Sequence, residues 1–511
     1  MWNPFKRNKP PEQTQSKKRS FDAAAVGRLF SSLPTTTQSM DWDLRIGLYR
    51  LRVRSRHFSV NNPYGRKFMN MCATNIIGPS GMSLVVRVQE KDAKGKTKVD
   101  GMANDAIEKA FTDWSKRKNC DVTGTHSFFE IQNLAVKALA RDGECLIRKL
   151  YGKGYGKYGF QLQILDVDRL DWMLNVPAGD DGVAIKMGVE INKYGKVLAY
   201  HVLTKHPSDV QYYTASYSTR ERIPVEDVYH LFIADRPEQN RGIPWMHAAM
   251  VQLGNLGGYE EAAIIAARVG AAKMGFFTAP DGDGSALSTE VDDNGNLMTE
   301  ADAGVFGVLP QGYDFTPFNP DYPHAMYAEF VKAALRGIAS GLGVSYNGLA
   351  NDLEGVNFSS IRAGVLEERE VWMGLQNWLI EHFMDDVYET WLKWALLSGA
   401  ITLPNGSTLP VTKFDKFNQA TWKGRRWQWV DPVKDIQANI QAVNNGFKSR
   451  TDVIAEQGQD IEDVFMKLAE EEAMIEELDL DLQAANPNHP DANSADSKSA
   501  DQETEDPQNN A

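Results

Sequence analysis

An α+β fold is what the sequence predicts, on three observations. Apolar residues recur with helical spacing over about 41–142 and again from about 323 onward. Between these regions, residues 143–235 switch to the alternating period of strands. A single apolar stripe over 360–398 is long enough to be an architectural helix. The chain has 511 residues, 42% hydrophobic and 24% charged, which suffices for several packed units of the usual ~100–200 residues each. A small disulfide scaffold and a wholly disordered chain are both excluded.

The elements follow in order. Residues 1–20 are Pro-, Lys- and Gln-rich without periodic apolar positions, and a flexible basic arm is expected over 1–40. Helical patterning begins near Asp41 and sets Arg45, Arg50, Arg52, Arg54 and Arg56 among Leu44, Leu48, Leu51 and Val53. That pattern predicts either a solvated face or a surface for phosphate or an acidic partner. Asn62-Pro63 opens a second helix that stops at Gly78-Pro79. A strand over 82–89, a polar turn over 91–98 and helices over about 101–118 and 126–141 come next, the last capped by Thr125 or Ser127.

After Asp142-Gly143, 144–150 and 160–167 read as strands around a Gly-rich turn; 184–191, 196–203 and 227–234 extend the β-rich part. Helical character returns at Ile243-Pro244 and runs to about Met274. The Gly- and Asp-rich 280–303 predicts a surface insertion or mobile loop, with strands at 274–278 and 304–309. A helix over 323–342 leads into a polar loop, and then into the stripe formed by Ile361, Val365, Trp372, Leu375, Leu379, Phe383, Val387, Trp391 and Trp394. Unbroken, 360–398 would extend roughly 58 Å at ~1.5 Å per residue, and Gly374 is the expected place for a bend. Helices over 431–446 and 449–472 follow, the first announced by Asp431-Pro432. Beyond about 481 almost no apolar residue occurs, and disorder is expected.

Charge narrows the function. The net of −13 divides into +8 over 1–56, −10 over 57–470 and −11 over 471–511. Such a chain does not grip nucleic acid over its whole surface, because phosphate binding needs clustered Lys and Arg. Three cysteines without a C-x-x-C pair predict buried reduced thiols, and the absence of an apolar run behind the N-terminal charges excludes a signal peptide. The longest apolar run, 262–279, is broken by Arg268 and Lys273, so no membrane partner is expected.

Catalytic motifs mostly fail. Gly154, Gly156 and Gly159 match dinucleotide-loop spacing, but a strand follows them, which predicts a hairpin turn. Gly95-Lys96-Thr97 ends like a phosphate-binding loop, with Glu90 where the first glycine must stand. No cofactor or metal is implied by histidine or cysteine spacing. Asp166, Asp168 and Asp171 could hold a divalent metal in a nucleic-acid-processing enzyme, though turn formation is the favoured reading. Trp422, Trp427 and Trp429 with Lys423, Arg425 and Arg426 suggest a stacking platform, with a hydrophobic hairpin or subunit contact preferred.

Four ordered motifs become specific together: Asn61-Asn62-Pro63-Tyr64 with Asn75-Ile76-Ile77-Gly78; the 236–245 segment bearing Gln239, Arg241, Gly242 and Pro244; Gly341-Leu342-Gly343-Val344-Ser345-Tyr346; and Asn357-Phe358-Ser359-Ser360-Ile361-Arg362. Across roughly 40–475 the chain resembles the portal proteins of lambda-like tailed bacteriophages, with Phe358 where the family usually has Tyr. The resemblance implies a non-enzymatic ring, typically a homododecamer, at one capsid vertex of the virion. It would be assembled in the host cytoplasm, and double-stranded DNA would be packaged and ejected through its channel. The partners implied are the major capsid protein, the terminase large subunit and head-tail connector proteins.

Portal subunits of this kind have a mixed α/β wing, a helical stem, a β-rich clip and a helical crown. Mapped here, the resemblance implies wing over 41–174, clip over 175–235 and stem helices over 243–342 with the insertion 280–303. Channel loop, long helix and further wing would occupy 343–430, crown 431–480 and acidic tail 481–511. The expected channel lining is Asn347, Asn351, Asp352, Glu354 and Asn357, since a polar loop between two helices can slide past phosphate without pairing with it.

Overall fold

Ser39 begins the ordered helices: its side chain accepts from the Trp42 N–H at the start of α1 (Met40–Asn61). Asn62 closes α1 and caps α2 (Pro63–Ile76), accepting from the Tyr64 and Gly65 N–H groups with Pro63 in the first turn. The computed structural model describes residues 28, 33–91, 97–209, 219–271, 275–278, 290–291, 297–298, 314–317, 326–354, 358–427, 432–459 and 461–478. The body of the expected basic arm and the acidic tail beyond 478 lie outside them, as do Asn357, Trp429 and the strand expected at 304–309.

The expected strand at 82–89 divides into β1 (Ser83–Val86) and β2 (Gln89–Lys91), and β2 pairs with β3 (Thr97–Val99). Then come α3 (Gly101–Trp114), a short α4 (Arg117–Cys120) and α5 (Phe128–Asp142). A capping box between Ser127 and Glu130 starts α5, and Gly143, in the left-handed region, ends it.

The β-rich region is two sheets. Strand β4 (Glu144–Tyr151) pairs with β5 (Phe160–Leu165) across a turn that holds Gly154, Gly156 and Gly159, the last two, like Gly152, with positive φ, so the glycine triplet lies in a hairpin. Strands β6 (Ala184–Lys186), β7 (Val189–Ile191), β8 (Val197–Leu203) and β9 (Arg220–Pro224) form a separate antiparallel sheet in that order. Strand β10 (Val228–Phe232) returns to the other edge of β4.

Alternation then decides which core each side chain joins. Cys145, Ile147, Phe160, Leu162, Tyr229 and Leu231 enter the main helical core, while Leu146, Leu165 and Val228 meet Val189, Tyr200, Val202 and Ile223 of the second sheet. Each fully buried Leu or Ile contributes about 1.5–3 kcal/mol, so the two sheets are firmly joined face to face.

Helix α6 (Met250–Ala271) starts later than Ile243, because 243–244 are irregular and 245–249 form turns. Between α6 and α7 (Tyr327–Leu342) the chain makes two antiparallel strand pairs, β11 (Gly275–Thr278) with β14 (Asp314–Pro317) and β12 (Glu290–Val291) with β13 (Leu297–Met298). The two helices run antiparallel. Gly341 faces Ala249 at one end, with a Cβ at that glycine 3.4 Å from the Ala249 Cβ, while Tyr259 stacks on Tyr327 at the other.

After the short α8 (Tyr346–Ala350), the long stripe forms α9 (Phe358–Leu379), one π-helical turn (Ile380–Met384) and α10 (Asp385–Leu397). The irregularity expected at Gly374 lies six residues further on, at Ile380. Helix α11 (Phe414–Phe417) precedes β15 (Ala420–Lys423), which pairs with β1. Trp422 on β15 enters an aromatic core with Phe111, Trp114, Phe128, Tyr388 and Trp391, so this tryptophan packs inside the subunit and is not a stacking platform. Helices α12 (Pro432–Asn444), α13 (Arg450–Glu456) and α14 (Ile461–Glu477) end the described chain.

Candidate functional site

The buried stripe of α1 is partly polar: Asp41, Leu44, Leu48, Arg52, Ser55 and Ser59. Arg45, Arg50 and Arg54 are exposed, as a solvated face requires. Arg52 and Arg56 do meet an acidic partner, and it is this same chain. Arg52 donates to Asp168 at 2.7 Å and lies 2.5 Å from Glu144, while Arg56 reaches Asp142 at 2.6 Å, Asp166 at 2.9 Å and Asp168 at 2.6 Å.

Glu144, at the first position of β4, is the centre of this network and has no exposed surface. Arg241 holds both its oxygens through Nε at 2.9 Å, with Nη2 at 2.6 Å from Oε1, and His230 lies 2.7 Å from Oε2. Burial alone would push this carboxyl up, but Arg241, His230 and Arg52 outweigh it and hold Glu144 far below the usual carboxylate range. His230 is pushed the other way: burial lowers it more than Glu144 raises it, so it is neutral and donates from Nε2.

The sequence motif 239–244 is the clamp around this acid. Gln239 accepts from the Asp235 and Arg236 N–H groups and donates to the Arg241 carbonyl at 2.8 Å, which shapes the loop. Arg241 Nη1 also donates to the Met187 carbonyl at 2.6 Å, and Met187 has φ 49, a strained conformation for a non-glycine residue. Gly242 is required sterically, because a Cβ there would stand 2.0 Å from the Gly143 carbonyl oxygen. Pro244 follows, and Asn240 is tied to Asp41 at 2.9 Å and 2.7 Å. Helix α1, both sheets and the loop that leads to α6 are thus fastened at one charged point.

The metal reading does not fit this geometry. Asp166, Asp168 and His206 offer ligand atoms within 4.8 Å of one another, but Arg56 and Arg52 already bond those two carboxylates. Asp171 lies outside the cluster and bonds Arg220. Positive charge stands where a cation would have to enter, and repels it.

The expected channel loop is a second polar site. Asn347 sits within α8, whose Ser345 cap accepts from the Gly348 N–H. Asn351 has φ 55 and accepts from Lys67 at 2.9 Å. Asp352 accepts from the Tyr346 hydroxyl at 2.6 Å, which holds its carboxyl low, and Lys332 lies 3.8 Å from Asp352 and 3.3 Å from the exposed Glu354. The loop's described acids are therefore balanced by the preceding helix. Ser359, Ser360 and Arg362 lie in the first turns of α9, where the backbone alone is described.

Sequence reasoning found Arg241 through its motif and missed Glu144 and His230. The available signal was an acid opening a strand directly after a helix-ending glycine, at a place where a two-sided strand should be apolar.

Comparison with known proteins follows this geometry. Residues 26–376 match the family described as phage portal protein, lambda family. The chain is 35% identical over 480 residues to a probable portal protein of Halomonas phage phiHAP-1, covering 90% of this chain and 88% of that one. It is 22% identical over 482 residues to portal protein B of Escherichia phage lambda, covering 87% of each. Among solved structures, a chain from the neck of an empty gene transfer agent particle, computed with C6 symmetry, aligns with TM-score 0.42 and 14% identity over 81% of this chain and 94% of that one.

Proposed function

The chain belongs to the lambda family of phage portal proteins, and from that premise we propose that it forms a homododecameric ring at one capsid vertex, the conduit for packaging and ejecting double-stranded DNA. The family is a structural one. The observation that carries the conduit reading is the order of parts: an antiparallel helix pair, a strand-bearing excursion between its members, and a charge-balanced polar loop leading into the long helix.

In this reading α6 and α7 are the stem. The excursion 272–326 between them is the clip. The second sheet, within 175–235, belongs with the wing, because its apolar face is spent on β4, β5 and β10. Helices α12 and α13 have no buried residue, and Val433, Ile440 and Phe447 are exposed, which suits crown helices that pack only in the assembled ring. The loop carrying Asn347, Asn351, Asp352 and Glu354 lines the channel, with Asn357 following. Its acids pair with Lys332, so it offers passing phosphate neither an unpaired cation nor a strong repelling charge.

Force would come from the terminase large subunit docked on the clip. The major capsid protein and connector proteins would meet the ring at the virion vertex, after assembly in the host cytoplasm. Negative-stain microscopy of the purified chain should show rings with a central hole. A monomer that persists across salt and protein concentration would overturn the reading.

A further inference from the structure

Strand β10 is an edge. Its sheet has the order β10-β4-β5, so one side of β10 has no strand partner among the described residues. His230 shows which part of it is open: the residue is half-buried although its side chain is only 1% exposed, so the exposed atoms are main chain. An open cleft of about 600 Å³ runs along this edge. Trp378 near the end of α9, His382 on the π-helical turn and Asp386 at the start of α10 line it, and so does Glu226 from the turn before β10. An unpaired strand edge at the base of a cleft accepts an extended peptide through main-chain hydrogen bonds.

The charge around the cleft selects the peptide. Glu226, Asp386 and Glu389 are exposed and form no salt bridge among the described residues. One cation, Lys149, also lines the cleft; it faces these acids together with Asp227 and lies over the Tyr229 ring at 4.2 Å, offsetting part of their charge. The cleft is therefore acidic and suits a basic, partly apolar strand.

The chain carries such a segment. Arg236, two residues beyond the cleft-lining Ala234, donates to the Gln38 carbonyl at 3.1 Å, so the N-terminal arm leaves the body beside β10. The stretch Lys17-Lys18-Arg19-Ser20-Phe21-Asp22-Ala23-Ala24-Ala25-Val26 begins with three cations and continues with small apolar residues and Phe21. The residues between Val26 and Gln38 span at most about 40 Å at ~3.3 Å each, which bounds how far the segment can lie from Gln38. Tethering at Gln38 makes docking an intramolecular event, favoured over capture of another copy's arm.

We propose that residues 17–26 dock in cis along the free edge of β10, adding a fourth strand to its sheet with Lys17, Lys18 and Arg19 against the acids of the cleft. Hydrogen–deuterium exchange on the full chain and on a variant lacking residues 1–27 tests this directly. The expected result is faster exchange at the 229–232 amides in the shortened chain, with amides of β7 and β8 unchanged; equal exchange at 229–232 overturns the proposal.

Lys17→Glu/Lys18→Glu/Arg19→Glu leaves the arm in place, and should speed the same amides. Ser20→Cys with Glu226→Cys supplies a second readout, because the native Cys72, Cys120 and Cys145 are buried. A short bis-maleimide should link the pair within one chain. Links formed only between chains would overturn docking in cis.

Discussion

Glu144 shows how much one residue can concentrate. It is ionised without touching water, because Arg52, Arg241 and His230 together supply what solvent would. Glu144→Gln would leave two buried guanidinium groups short of a counter-charge, and removing one partner of a buried pair costs about 3–5 kcal/mol. Chemical denaturation should show that loss as a lower midpoint with an unchanged slope. Acid acts at the same place in two stages. His230 in the fold lies below its ordinary 6.5, so the unfolded chain takes up a proton first and stability declines as pH falls below about 6.5. Glu144 lies below its ordinary 4.5, so its contribution is held above that value and declines further as pH drops through and below it. Thermal melts between pH 2 and 8 should show both stages, and His230→Gln should remove the upper one. Arg241 was visible in the sequence as part of a motif. Its acid was not, since the two stand 97 residues apart and only the path of the sheets brings them together.

At the scale of elements, the long helix was legible in its stripe and its interruption was misplaced. Leu375, Leu379, Phe383, Val387, Trp391 and Ala395 recur at steps of four, and each such step overshoots a 3.6-residue turn by about 40°. A straight α-helix would carry that line progressively off the core. The wide turn Ile380–Met384 takes up the excess, so Phe383, Val387 and Trp391 all stay buried. Glycine flexibility suggested Gly374, whereas the accumulated angular drift pointed to the middle of the run. Deleting the exposed Glu381 should convert the wide turn to an α turn and keep both flanking faces in place, giving a cooperative melt a few degrees lower. Inserting one alanine there should turn Trp391 away from Phe111 and Trp114 and abolish the cooperative transition in circular dichroism. The β-rich region was likewise recognised as strands but not as two sheets, because alternation gives a side chain's face and says nothing of what covers it.

For the whole molecule, charge by segment carried more than the total. The conduit reading predicts that deleting residues 350–355 leaves ring assembly intact by negative-stain microscopy while phage assembled with the variant package or retain less DNA. Normal genome content in those particles would count against a channel role for the loop. The pairing of β1 with β15 bears on how such a subunit is made. Ser83 meets Lys423 and Val86 meets Ala420, and Arg425 reaches back to the Thr74 carbonyl at 2.6 Å. A ribosome must therefore synthesise more than four-fifths of the chain before an early strand acquires its neighbour. Until then β1 stays open at that edge, and Trp422 is missing from the aromatic core. A nascent or prematurely terminated chain that lacks β15 thus leaves both this strand pair and the aromatic core incomplete, so only chains translated past β15 can finish this part of the fold.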